Sequence, residues 1–108
     1  MKTGRFAAAL ALAMVLPMPA AAAEGGAQLA ADRGCYNCHG EPARRNVPSF
    51  RELVARYAVY AGRPDPATEQ KLVDRMHHGS LFAHVAAHER LSEEDARALI
   101  RWLVEGGR

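Results

Sequence analysis

Cys35-Tyr36-Asn37-Cys38-His39 constrains this chain more than any other stretch. Two thiols stand three positions apart, and a histidine directly follows the second. Thiols at that spacing can add to the two vinyl groups on one edge of a porphyrin. The histidine then falls beneath the ring plane, within reach of the iron. C-x-x-C-H is accordingly the attachment signature of a c-type haem. Three other readings use the same residues, and each is weaker. A thioredoxin-like C-x-x-C needs a βαβ context, and no strand-like alternation lies near it. A zinc site wants four ligands, and the chain has 2 cysteines, although later histidines offer nitrogen. A disulfide across so short a loop would remove little chain entropy. The motif therefore predicts two thioethers, at Cys35 and Cys38, and one axial ligand, His39.

The residues before the motif read as an export leader. Lys2 and Arg5 form a basic start, Phe6 to Leu16 is an uninterrupted apolar run, and Pro17 and Pro19 break it. Ala21-Ala22-Ala23 then offers a small-residue cleavage site before Glu24. The apolar run is shorter than the roughly 20 residues a membrane span needs. The competing reading is an uncleaved N-terminal anchor. Removing the first 23 of 108 residues leaves 85, enough for one domain. Of 14 Lys+Arg, the leader takes two, so 12 remain against 12 Asp+Glu. Nothing in that balance suggests a nucleic-acid partner. So small a domain builds a marginal core alone, and the apoprotein is expected to be largely unfolded.

No stretch of residues 24–108 alternates with period two, so the expected fold is all-α with loops. A first helix is expected over about Ala27 to Arg33, ended by Gly34. Pro42 and Pro48 bound a loop. Ser49 with Glu52 forms a capping box, and Phe50, Leu53, Val54 and Tyr57 follow at helical spacing. Gly62 to Pro66 reads as a turn. A third helix spans about Ala67 to His78, with Leu72, Val73 and Met76 on one face and Gly79 as its cap. Ser80 to Leu91 is a loop containing His84 and His88. Ser92 with Asp95 reads as a second capping box. It opens a last helix with Ala96, Leu99, Ile100 and Leu103 as the buried stripe and Trp102 beside it.

A haem motif near the N-terminus, a proline after it and a C-terminal helix resemble a small class I c-type cytochrome. The chain is similar to the bacterial c551/c552 monohaem group over nearly all of residues 24–108. CYNCH carries most of that resemblance. Pro48-Ser49-Phe50, Lys71 to Ser80 and Leu91 to Leu103 support it. The resemblance implies about four helices wrapped around one haem c, with thioethers to Cys35 and Cys38 and His39 as proximal ligand. It implies that the Pro48 carbonyl accepts the other ring N–H of His39, a bond that fixes the tautomer and raises ligand basicity. It also implies a monomeric, non-enzymatic periplasmic electron carrier. Its partners would be periplasmic or membrane-bound redox proteins, and it would not be an integral membrane protein once processed.

The chain departs from that group at the sixth ligand. The group's methionine lies in the loop before the last helix, and here Ser80 to Leu91 contains none. Counting back from Ser92 puts the ligand near Ala86, Val85 or His84, and only His84 of these can bind iron. The reading is therefore bis-histidine ligation by His39 and His84. His88 and Met76 are the alternatives, although Met76 at helical spacing with Leu72 and Val73 reads as core. His77 and His78, at a helix C-terminus, need no further role. Arg44, Arg45 and Arg51 are candidate partners for haem propionates. Tyr57 and Trp102 could hydrogen-bond a propionate or pack on the haem, and core packing is the better reading of both. An open or displaceable distal site would instead suit a haem-based gas sensor or a small peroxidase-like enzyme.

Overall fold

The computed structural model describes residues 4, 11–16, 22–62, 65–79 and 84–108. Most of the expected leader therefore lies outside the described residues, as do residues 63–64 of the expected turn and residues 80–83 of the loop. Among the described residues the chain is all-helical. Four helices carry the fold: α1 (Ala22–Asp32), α3 (Phe50–Tyr57), α4 (Pro66–His78) and α6 (Glu93–Val104). Two single turns, α2 (Tyr36–His39) and α5 (Ala86–Glu89), lie between them, and a 3₁₀ turn, Ala58–Tyr60, extends α3. No helix among the described residues is long and apolar enough to cross a membrane.

Helix α1 begins five residues earlier than the sequence suggests, and takes in Gly25 and Gly26. Glycine is costly inside a helix, and at position 26 the reason is packing. A Cβ there would overlap the Trp102 side chain, so the missing side chain lets α1 lie directly on α6. Ala30, fully buried, continues the same contact against Leu99, Trp102 and Leu103. The helix ends on Gly34 at φ 72°. Gly34 N–H bonds to Ala31 O, and Cys35 N–H to Ala30 O at 2.9 Å. That pair of bonds is a Schellman cap, and it ties the first cysteine of the motif to the end of α1.

The expected caps hold α3 and α4. Ser49 accepts from Glu52 N–H, and Glu52 returns the bond to Ser49 N–H at 2.8 Å. Asp65 caps α4, with Pro66 in its first turn, where a missing N–H costs nothing. At α6 only half of the expected box forms. Ser92 accepts from Asp95 N–H, but the Asp95 carboxylate pairs with Arg33, 2.7 Å away, and joins the end of α1 to the start of α6.

Helices α4 and α6 pack through Leu72, Val73, Ala96 and Ile100. Glu69 locks the outer edge of this seam. Its carboxylate takes two bonds from Arg101, at 2.8 and 2.9 Å, and one from Arg97 at 2.8 Å. Donation from Arg101 and then from Arg97 holds the Glu69 carboxyl below its ordinary value, against the opposing effect of burial. A carboxyl lowered by folding adds stability above its unfolded pKa and loses it as pH falls through the folded one. Glu69→Gln is expected to lower the thermal unfolding midpoint of the holoprotein by a few degrees at pH 7. The gap between variant and wild type should close as the pH is taken below the carboxylate range. A pH-independent gap would assign the effect to packing.

Candidate haem site

A cavity of about 460 Å³ opens between the motif, α3, α4 and α6. Cys35, His39 and Pro48 form one side, Leu53, Tyr57, Leu99, Trp102 and Leu103 its apolar walls, and Met76, Val85, His88 and Leu91 the other side. A second cavity of about 470 Å³, between Tyr60, Thr68, Glu69 and Val104, lies apart from the cysteines and holds no candidate ligand.

The proximal side is built by one turn. His39 N–H bonds to Cys35 O at 2.9 Å, which closes α2 and sets Cys35 and Cys38 one turn apart. His39 follows immediately, and its Nδ1 donates to the Pro48 carbonyl at 2.6 Å. A carbonyl only accepts, so Nδ1 carries the proton and Nε2 keeps a lone pair for a metal. Phe50 wedges this assembly. Its ring meets Tyr36 at 4.8 Å, His39 at 5.6 Å and Trp102 at 5.3 Å between centres. Burial pushes the Cys35 thiol up from its ordinary value, partly countered by a backbone hydrogen bond.

The distal side is not arranged as the residue count suggests. The His84 side chain is 68% exposed, with Nδ1 3.3 Å from Glu89 Oε1, outside the cavity. His88 is the histidine that faces His39. Their rings are nearly parallel, 11° apart, with centres separated by 6.0 Å. Imidazole–metal bonds run about 2 Å, so two imidazoles in line on one metal hold their bonding nitrogens about 4 Å apart and their ring centres farther. Ring centres 6.0 Å apart leave room for one metal between the two histidines. Helix α5 produces it: the Val85 carbonyl takes the N–H groups of His88 and Glu89, and His88 turns inward while Ala86, Ala87 and Glu89 stay exposed. Burial, then the neighbouring His39 and His77, lower the His88 pKa, which favours the neutral ring that binds metal. Met76 also lines the cavity, but packs against both core clusters.

Arg44, Arg45 and Arg51 are all exposed and away from the cavity. The arginines at the cavity are Arg56 and Arg75. Arg56 stands three residues after Leu53, which lines the same cavity, a helical spacing that the sequence carries, and Arg75 directly precedes Met76. Their stems can line apolar surface while the heads reach its rim. Trp102 is core as expected, 5% exposed. Its indole N–H is buried with no acceptor among the described residues. Burial raises the pKa of Tyr57, against the opposing effect of Arg75.

A haem fits these residues. Two thiols one turn apart, an imidazole with its outer nitrogen already bonded and an apolar cavity are the parts it requires. The comparisons agree. The family model for cytochrome c matches residues 23–106. The chain belongs to the cytochrome c family. Cytochrome c2 of Rubrivivax gelatinosus is 28% identical over 85 residues, covering 73% of this chain and 94% of that protein. No solved structure matches significantly. As a class I c-type cytochrome, the chain carries one covalently attached haem c and transfers electrons.

Phe50 is the packing element this cytochrome's proximal side rests on. Phe50→Ala is expected to destabilise the holoprotein by about 3 kcal/mol, read from denaturant unfolding followed at the haem absorption. Phe50→Leu should recover at least half of that loss.

Proposed function

We propose that this cytochrome is a periplasmic single-electron carrier whose haem iron is held between His39 and His88. The observation that carries the reading is the pair of near-parallel imidazoles facing each other across the cavity, 6.0 Å between centres. Bound there, haem supplies a one-electron ferric/ferrous couple. The chain's own residues set its surroundings. Pro48 fixes the tautomer of His39. The apolar walls from Leu53, Leu99 and Leu103 limit water at the iron. His88 takes the place that the sequence count gave to His84, and Met76 remains a wall residue. An imidazole in place of methionine favours the ferric state, so the reduction potential should lie below that of His/Met relatives.

Export rests on the leader: a basic start, an apolar run and an A-x-A site. The family match begins at residue 23, where that leader ends. We propose cleavage after Ala23, leaving one domain over residues 24–108. Its partners are redox proteins of the same compartment, met through small transient contacts. With two ligands on the iron, no position is left for a substrate, and the protein is not an enzyme.

Optical and low-temperature EPR spectra of the holoprotein test the ligands. Wild type should show low-spin bis-imidazole signals without the methionine–iron charge-transfer band. His88→Ala should lose them and His84→Ala should keep them. Loss in His84→Ala alone would return the ligand to His84, and a methionine band would assign it to Met76. A high-spin wild type that binds CO readily would replace the carrier with a sensor or enzyme.

A further inference from the structure

His39 and His88, which would hold the iron in the reading above, are themselves held in different ways. The ring of His39 is fixed through its own second nitrogen, by Pro48. Among the described residues no protein hydrogen bond reaches the ring of His88, so its position depends on its backbone. That backbone is tied to α4 by a side chain outside the cavity lining. His77, on the last turn of α4, has Nε2 2.9 Å from the Leu91 carbonyl. A carbonyl only accepts, so the ring donates. Leu91 N–H in turn bonds to the His88 carbonyl at 3.2 Å. Two hydrogen bonds thus connect α4 to His88. Among the described residues, no other hydrogen bond joins α4 to residues 84–91. The Leu91 side chain lines the cavity and packs against both core clusters. Whatever displaces Leu91 therefore displaces the wall beside His88.

We propose that His77 is a positioning residue: by donating to the Leu91 carbonyl it holds the backbone that keeps His88 facing His39. The proposal rests on ligation by His88. His77 does for the distal ligand what Pro48 does for the proximal one, through the main chain instead of the imidazole. A ligand without its own ring partner leaves the metal more often when its backbone anchor is removed, while its resting position stays the same.

Cyanide binding to the ferric holoprotein reads that departure, because cyanide takes the position the distal ligand vacates. Stopped-flow rates would be compared for wild type, His77→Leu, His77→Ala and His77→Gln, beside the spectrum of His88→Ala. The glutamine amide can replace the imidazole as donor. All three His77 variants should keep the resting low-spin spectrum. Cyanide should bind roughly three- to tenfold faster in His77→Leu and His77→Ala, the effect of one hydrogen bond, and within about twofold of wild type in His77→Gln. Denaturant unfolding provides the control, since a purely structural role would lower global stability without separating the glutamine variant. Equal rates in all four proteins, or equal acceleration with glutamine, would overturn the positioning role while ligation by His88 stood. A low-spin spectrum that survives His88→Ala would overturn the ligation and, with it, the proposal.

Discussion

Eight apolar residues are buried among those described, in two clusters that flank a cavity of about 460 Å³. The rest of the structure depends on how that space is filled. Small domains bury too little apolar surface to offset chain entropy comfortably. Here the helices are 8 to 13 residues long, and α3 buries no residue fully. A covalently held haem c gives Leu53, Tyr57, Leu99 and Leu103 a common apolar surface to pack on. Two thioethers also keep it from leaving when the fold loosens. The Schellman cap at Gly34 then matters for more than helix geometry. It sets Cys35 at a fixed place against the α1–α6 pair, so the anchored edge of the haem and that helix pair form one unit.

The two sides of the cavity differ in how local their construction is. The proximal side comes from one stretch of chain: α2 places both cysteines and His39, and Pro48 lies nine residues on. The distal side joins two separate elements, α4 and α5. Residues 84–91 meet α4 through the bond from His77, fourteen residues before Leu91. Local contacts need little loop closure, whereas distant ones depend on the whole fold being in place. The same contrast decides what a reader of the sequence can see.

Local signals were legible. CYNCH, the Ser49–Glu52 box, the helical spacing of Phe50, Leu53, Val54 and Tyr57, and the start of α6 at Ser92 are each contained within a few residues. The structure shows them where the pattern put them. The bond from His39 to Pro48 was legible through family resemblance. Signals that needed a partner were not. Gly25 and Gly26 argue against a helix until Trp102 is known to lie on Gly26. Asp95 looks like a capping residue until Arg33 is known to reach it. Arg44 and Arg45 follow the motif in sequence yet lie outside the cavity, while Arg56 and Arg75 reach it from helices. The residue count points to His84, and the cavity is lined by His88 instead, for a related reason. Counting back from Ser92 treats the loop as if each residue advanced the chain equally. A helical turn rises only about 1.5 Å per residue against about 3.3 Å in extended chain. Helix α5 winds the loop just before Leu91, so the inward position falls on His88, four residues later.

That winding bears on the function proposed for the site. Methionine is flexible and reaches a metal from a range of backbone positions. Imidazole is a rigid ring on a short stem, and its backbone must be placed more closely. Replacing one with the other at the distal side therefore shifts the demand for order from the side chain to the loop. Residues 84–91 meet that demand in three ways: one turn of helix, a hydrogen bond to α4, and Leu91 packed between both core clusters. A ligand at His88 held in these ways would suit electron transfer. The less the protein around the iron must move between oxidation states, the less reorganisation each electron has to drive. Of the three, the bond from His77 acts through the main chain, where on the proximal side Pro48 acts directly on the ring.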